Sequence, residues 1–127
     1  MLGGRVLVAG GASKARRGDV QVARLAGEVD ISNAKRLQAD IAAIVPNDAA
    51  GLVLDLSDTD YLDSAGIRML FELHGRLSDS RQRFAAVVPD NSLIRGSLLV
   101  TEVDQAFALR PTLDEAIASV RGTQQDD

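Results

Sequence analysis

The spacing of apolar residues changes repeatedly along the chain, and these changes predict strands that alternate with helices. Gly51–Leu56 is an almost continuous apolar run between turn-forming residues, which is typical of a strand buried on both faces. Ala34, Leu37 and Ile41 instead recur at the spacing of one helical face, which predicts an amphipathic helix that extends to Val45. A Pro-Asn-Asp turn ends this helix.

The same pattern analysis predicts the order β-β-α-β-α-β-α-β-α for the whole chain. The predicted strands are Arg5–Ala9, Val20–Val29, Gly51–Leu56, Arg83–Val88 and Gln105–Leu109. The predicted helices are Ala34–Val45, Ser64–Leu77, Asn91–Leu99 and a last one that follows the capping box Thr112-Leu-Asp-Glu115 and continues to Val120. Such alternation predicts an α/β fold with a largely parallel sheet covered by helices and right-handed crossovers.

The first two strands flank a glycine-rich loop, Gly10–Gly18, and are expected to form a hairpin. This loop carries Lys14, Arg16 and Arg17 but lacks the spacing of a phosphate-binding loop, so we interpret it as a solvated hairpin tip. The polar tail Gly122–Asp127 is expected to be frayed.

Composition narrows the class of protein. A chain of 127 residues with 46% hydrophobic residues is the size of one domain, predicted to span 1–127 with a core from about residue 5 to residue 121. There is no cysteine, which removes disulfides and thiolate chemistry. We find neither an apolar run of about 20 residues, which a membrane span needs, nor a signal peptide, so the cytoplasm is the expected location.

Charge and aromatic content argue against direct binding of nucleic acid. The chain has a net charge of −4, from 14 basic and 18 acidic residues, whereas nucleic-acid-binding domains usually present a basic face. Three phenylalanines, one tyrosine and no tryptophan leave few platforms on which bases could stack.

Two loops are predicted to meet at one edge of the sheet. Parallel sheets carry their functional loops beyond the carboxyl ends of the strands, and Gly27–Asn33 and Ser57–Ser64 both occupy such positions. If their strands are neighbours, one surface collects the following polar side chains: Asp30, Ser32, Asn33, Asp58, Asp60, Asp63 and Ser64.

The central question on this surface is why a serine stands between a strand and a helix. The only histidine, His74, lies ten residues after Ser64 on the same predicted helix, about 15 Å along its axis at 1.5 Å per residue. It therefore cannot serve Ser64 as a general base, and serine hydrolase chemistry is disfavoured. We expect no enzymatic activity and no cofactor.

The aspartates around Ser64 are interpreted as structural. Asp55, Asp58, Asp60 and Asp63 do not match a calcium-loop pattern, so no metal site is predicted, and Asp55 is expected to make local hydrogen bonds at its strand end. Asp63 is expected to cap the helix that follows it. Ser64 would then be an exposed first helical residue, open to modification by another protein.

The residues beside Ser64 fit that interpretation. Ala65 and Gly66 add little bulk, so a partner could approach the backbone closely. A phosphate on Ser64 would add roughly −1.5 to −2 charges, and Arg68, one turn later, is within reach of it. Asp58, Asp60 and Asp63 would oppose it.

Three blocks carry a family resemblance: G-E-V-D (Gly27–Asp30) followed by Asn33-Ala34, L-V-L-D-L-S (Leu52–Ser57) and Y-L-D-S-A-G (Tyr61–Gly66). With them, the chain resembles a STAS domain of the anti-sigma factor antagonist type from about Arg5 to Val120. The resemblance implies the STAS fold, a mixed, largely parallel sheet of about five strands with about four α-helices.

The resemblance also implies a function. Such antagonists bind an anti-sigma factor that is a GHKL-type serine kinase and thereby free the sigma factor; the kinase uses its own bound ATP to phosphorylate the serine of the D-S-x-G block, here Ser64, and a phosphatase reverses the step. The implied partner-binding residues are Glu28, Asp30, Ser32, Asn33, Asp60, Asp63, Ser64, Ala65, Gly66 and Arg68. Alternative functions of a STAS module are a scaffold subunit of a stress-signalling complex, an accessory subunit of a membrane transporter, or a nucleotide sensor. The sequence leaves open whether the chain forms a homodimer.

Overall fold

The structure is a computed structural model that describes residues 4–7, 16–17 and 19–122. Its strands are β1 (Arg5–Leu7), β2 (Arg16–Arg17), β3 (Val20–Val29), β4 (Gly51–Asp55), β5 (Thr59–Leu62), β6 (Arg83–Val87) and β7 (Ala108–Arg110). Its α-helices are α1 (Ala34–Ala43), α2 (Ser64–Asp79), α3 (Arg95–Val100) and α4 (Leu113–Arg121), and a short 3₁₀ helix, Val103–Gln105, precedes β7.

The sheet is mixed and largely parallel, as the alternating pattern predicts. The main path has the order β1-β3-β4-β6-β7, in which β1 is antiparallel to β3 and the other neighbours are parallel. The predicted pairing of the first two strands is therefore confirmed as β1 with β3. Because β3, β4 and β6 are parallel neighbours, the loops after β3 and β4 lie at the same edge of the sheet.

The core lies on both faces of the sheet. Leu52 and Leu54 of β4 belong to one apolar cluster and Val53 between them to another, as alternating side chains of a doubly buried strand require. The first cluster takes buried residues from α1, α2 and α3, and the second takes them from α4. Each large aliphatic side chain buried in this way contributes roughly 1.5–3 kcal/mol, so both faces of the sheet are held by helices.

One predicted loop is partly a strand. Ser57–Asp63 was expected to be polar loop, but Thr59–Leu62 forms β5 and pairs in parallel with the last residues of β3. The ten-residue β3 extends beyond its pairing with β4 and continues alongside β5, and the register of the β3–β5 pairing shifts between Gly27 and Glu28. The pairing is supported by Thr59, whose buried hydroxyl donates to the Leu25 carbonyl at 2.6 Å.

Several predicted element boundaries were wrong. The third helix begins at Arg95 instead of Asn91, because the Ser92 backbone N–H bonds Pro89 and its hydroxyl accepts from the Ile94 N–H in a preceding turn. The last strand is Ala108–Arg110, since Gln105 belongs to the 3₁₀ helix.

The remaining differences are smaller. The first helix ends at Ala43, and Arg16 and Arg17, expected in a loop, form β2 against β3. The rest of the basic loop, the end of the first predicted strand and the tail beyond Gly122 lie outside the described residues.

Candidate functional site

The start of α2 is fixed by Asp63, which acts as its N-cap as predicted. Asp63 Oδ1 accepts hydrogen bonds from the backbone N–H groups of Ala65 at 2.8 Å and Gly66 at 3.1 Å. The Asp63 backbone N–H in turn donates to the Val29 carbonyl at 3.1 Å. The cap therefore joins α2 to the end of β3 and leaves Ser64, the first helical residue, exposed.

The loop after β3 is held by side-chain hydrogen bonds within it. The buried Asn33 side chain accepts from the Asp30 backbone N–H through Oδ1 and donates to the Glu28 carbonyl through Nδ2, both at 3.0 Å. Asp30 Oδ1 accepts from both the backbone N–H and the hydroxyl of Ser32. The Ser32 hydroxyl first, and then its backbone N–H, lower the pKa of Asp30 below its ordinary value of 3.8.

The two loops predicted to meet are joined directly. The backbone N–H of Ile31 donates to Asp63 Oδ2 at 3.2 Å, and the other oxygen of the same carboxylate caps α2. The Ile31 side chain itself is 84% exposed beside the polar groups of the loop. An aliphatic side chain held in water by a rigid loop is a candidate contact for another protein.

A groove of about 620 Å³ runs between α1 and α2 and includes Ser64. Ala65 and Arg68 line it from α2, and Ile31 and Lys35 line it from the loop after β3 and from α1. The groove therefore collects an exposed hydroxyl, two cationic side chains and an exposed aliphatic one. Sequence analysis included Arg68 in this surface and missed Ile31 and Lys35.

Most of the acidic residues at this edge of the sheet make structural contacts of their own. Asp55 accepts from the backbone N–H and hydroxyl of Ser57 at 2.9 and 2.6 Å, which confirms the local role predicted for it. Arg24 of β3 lies 3.5 Å from Asp58 and 3.9 Å from Asp55, so it ties the turn after β4 to the neighbouring strand. Asp60 lies exposed on β5. Among the described residues, no group of three potential ligands is arranged to hold a metal ion.

Two of the predicted partner-binding residues are buried, and each has a structural role. Asn33 is 7% exposed and holds the loop after β3. Gly66 is also buried, and a Cβ there would lie 2.9 Å from Leu62 Cδ2 and 3.1 Å from Val29 Cγ1. The missing side chain of Gly66 thus lets α2 pack on β3 and β5.

His74 is placed where it cannot act on Ser64. Both residues lie on α2, and ten residues of helix separate them by about 15 Å. The His74 ring packs instead on Phe107, with ring centroids 5.7 Å apart. His74 therefore has a packing contact at the far end of the helix from Ser64.

None of the helices in the described part of the chain combines the length and the apolar character that crossing a membrane requires.

Comparison with known proteins assigns the chain to a family. Residues 12–116 match the family model of the STAS domain. The anti-sigma-F factor antagonist RsfB of Mycobacterium tuberculosis is 31% identical over 107 residues, which cover 84% of this chain and 86% of RsfB.

Solved structures agree with that match. An anti-sigma factor antagonist from Mycobacterium paratuberculosis aligns with a TM-score of 0.76 and 30% identity over 93% of this chain and 94% of its own. The anti-sigma factor antagonist SpoIIAA in its unphosphorylated form aligns with a TM-score of 0.62 over 84% of this chain and 94% of its own, and at 21% identity it supports the fold alone. The chain therefore belongs to the STAS domain family.

Proposed function

We propose that this chain is an anti-sigma factor antagonist regulated by phosphorylation of Ser64. The unmodified chain binds an anti-sigma factor that is also an ATP-using serine kinase, in the cytoplasm, and the sigma factor is released. The kinase then phosphorylates Ser64, the complex dissociates, and a phosphatase restores the unmodified chain. The similarity to RsfB, an anti-sigma-F factor antagonist, supports this function.

The exposed position of Ser64 at the start of α2 is the observation that carries the proposal. Its side chain forms no hydrogen bond with the other residues that the structure describes, and it lines the groove between α1 and α2. The Asp63 cap fixes the backbone after Ser64, and the hydrogen bond from the Asp63 N–H to the Val29 carbonyl fixes the backbone before it. A hydroxyl that is free, exposed and rigidly presented is a suitable phosphoryl acceptor for another protein's active site.

The proposed docking surface combines the predicted residues that remain exposed or half-buried with those that sequence analysis missed. It consists of Glu28, Asp30, Ile31, Ser32, Lys35, Asp60, Asp63, Ser64, Ala65 and Arg68. Ile31 supplies an aliphatic anchor, and the carboxylates around it supply charges for a partner of complementary charge. Asn33 and Gly66 support this surface from beneath.

Phosphorylation would act mainly on the complex and leave the fold intact. The phosphate adds roughly −1.5 to −2 charges to a surface that already carries Asp30, Asp60 and Asp63. A partner selected by the unmodified surface then meets additional negative charge that must be desolvated on binding. The fold should be unaffected, because Ser64 is exposed and its side chain forms no hydrogen bond within the described part of the chain.

The decisive experiment uses the purified chain, its cognate anti-sigma kinase and ATP. We expect mass spectrometry to find one added phosphate, located on Ser64. The Ser64→Ala protein should take up no phosphate and keep its affinity for the kinase, whereas Ser64→Glu should bind more weakly. Ser78→Ala is the matched control, because it removes an exposed hydroxyl from the far end of the same helix, outside the groove, and should leave phosphorylation unchanged. Full phosphorylation of Ser64→Ala would show that the acceptor is elsewhere.

The captured partner separates this function from the other functions of STAS modules. We expect the unmodified chain to retain a GHKL-type kinase from the cytoplasm of its own organism. Capture of a transporter subunit or a multisubunit scaffold in its place would support an accessory or scaffolding function and contradict the proposal.

A further inference from the structure

We propose that Lys35 and Arg68 form an internal receptor for the phosphate of phosphorylated Ser64. The inference rests on the proposed phosphorylation of that residue and adds where the phosphate goes afterwards. In the phosphorylated chain the two cations turn toward the phosphate across the groove between α1 and α2, and they are no longer free to contact the partner.

The positions of Ser64, Arg68 and Lys35 would allow both cations to reach a phosphate on Ser64. Ser64 and Arg68 are four residues apart on α2, so their side chains lie on the same face with about 5–6 Å between Cβ atoms. Lys35 is the second residue of α1 and lines the same groove from the opposite helix. A phosphate on Ser64 would therefore have one long cationic side chain beside it on its own helix and a second one across the groove.

Both cations are available for this contact. Within the described part of the chain neither Lys35 nor Arg68 forms an ion pair, whereas Arg24 and Arg36 lie within 4.0 Å of carboxylates. A phosphate would not have to break an existing ion pair to recruit either side chain. Arginine and lysine are also the side chains that bind phosphate best, the former through two parallel hydrogen bonds and the latter as a point charge.

The backbone at the start of α2 cannot replace these side chains. A phosphate at a helix start usually bonds the first free N–H groups, but Asp63 Oδ1 already accepts from the N–H groups of Ala65 and Gly66. The Asp63 carboxylate also repels a second anion at the same place. The phosphate is therefore directed away from the cap and into the groove, where Lys35 and Arg68 lie.

One acidic residue of the groove opposes the receptor. Glu72 lines the same groove and lies four residues after Arg68, where it competes with the phosphate for that side chain. The receptor thus consists of two cations against one carboxylate in the groove, with the capping carboxylate of Asp63 directly before Ser64 in the chain. Removal of the Glu72 charge should strengthen the hold on the phosphate, while removal of the two cations should weaken it.

The test uses the full chain with phosphoserine encoded genetically at position 64, so that no kinase is needed. The second pKa of a free phosphoserine is about 6, and nearby cations lower it because they favour the dianion. We expect a ³¹P NMR titration to show this pKa about half a unit higher in Lys35→Gln/Arg68→Gln than in the parent. Glu72→Gln should shift it in the opposite direction.

The control is Arg76→Gln, which removes an exposed cation from α2 twelve residues after Ser64, about 18 Å along the helix axis. It should leave the phosphate pKa within about a tenth of a unit of the parent value, since exposed charges beyond about 10 Å are largely screened. Equal phosphate pKa values in the parent, in Lys35→Gln/Arg68→Gln and in Glu72→Gln would overturn the receptor. If the double variant does not fold, the Glu72→Gln shift alone decides.

The test of the phosphate receptor and the test of the proposed phosphorylation of Ser64 can fail independently. A kinase that modifies another residue would contradict the proposed function and leave the ³¹P result unchanged. An unchanged phosphate pKa would overturn the receptor while phosphorylation of Ser64 still proceeds.

Discussion

Ile31 and Asp63 are joined by a hydrogen bond of 3.2 Å, from the backbone N–H of Ile31 to Asp63 Oδ2, across two loops that are 32 residues apart in sequence. The same carboxylate caps α2 through Oδ1. One side chain therefore fixes both the helix that begins with Ser64 and the loop that exposes Ile31. This links the stability of the domain to the shape of its proposed docking surface.

Removal of the Asp63 carboxylate should loosen both elements. Loss of an N-cap costs about 0.5–2 kcal/mol, so we expect Asp63→Ala to lower the free energy of unfolding by about 1–2 kcal/mol in urea titrations. Amide hydrogen exchange at Ile31 should accelerate in the same protein. Asp60→Ala is the control, since exposed surface substitutions stay within about 0.5 kcal/mol; an Asp63→Ala protein as stable as this control would contradict the dual role.

The exposed side chain of Ile31 should contribute to binding and not to folding. We expect Ile31→Ala to weaken binding of the anti-sigma partner roughly fivefold to thirtyfold in calorimetry, the effect of about 1–2 kcal/mol at an interface anchor. Its unfolding free energy should change by less than about 0.5 kcal/mol.

Val100 offers a matched control for this measurement. It is also aliphatic, β-branched and 84% exposed, but it lies on α3, away from the groove. Val100→Ala should bind like the parent. Equal loss of affinity in both variants would mean that Ile31 is not a specific anchor of the docking surface.

Local signals in the sequence were sufficient for much of this architecture. The apolar run that forms β4 and the capping residue before α2 act through neighbouring residues, so their roles could be predicted from short segments. The meeting of the two loops followed from the parallel topology, which requires neighbouring strands to end at one edge.

The features that could not be predicted from the sequence depend on contacts between residues far apart in the chain. Thr59–Leu62 has two exposed residues between two buried ones, and it is a strand only because β3 extends past β4 to pair with it. Exposure of Ile31 depends on how the loop after β3 folds, and an apolar residue in a sequence gives no sign that it faces water. Likewise, only the placement of Val29 against α2 shows why residue 66 is glycine.

The ionisation of Asp30 offers a test of how the loop after β3 is held. Because its pKa is lowered in the folded chain, this carboxylate stabilises the fold at pH values above its ordinary pKa of 3.8, and the contribution is lost as the pH falls through the lowered value. The Ser32 hydroxyl is the main cause, so Ser32→Ala should raise the pKa of Asp30 toward 3.8 in a carboxyl ¹³C NMR titration. Ser57→Ala, which removes the same kind of contact from Asp55, should leave Asp30 unchanged. An unchanged pKa in Ser32→Ala would contradict this account of the loop.

Two glycines of α2 should respond to alanine in opposite directions. At Gly66 an added Cβ meets Leu62 Cδ2 at 2.9 Å and the Val29 carbonyl oxygen at 3.2 Å, so the Leu62 side chain must move and α2 must give way by a few tenths of an ångström. We expect Gly66→Ala to lower the free energy of unfolding by about 1–3 kcal/mol, the usual cost of overpacking. At Gly75 no atom of the described residues, apart from its chain neighbours and the surrounding helix backbone, lies within 4 Å of an added Cβ. Alanine there should raise the free energy of unfolding by roughly 0.5–1 kcal/mol through helix propensity. Urea titration of both proteins checks this, and a stabilised Gly66→Ala would show that the glycine before Ile67 is not required by packing.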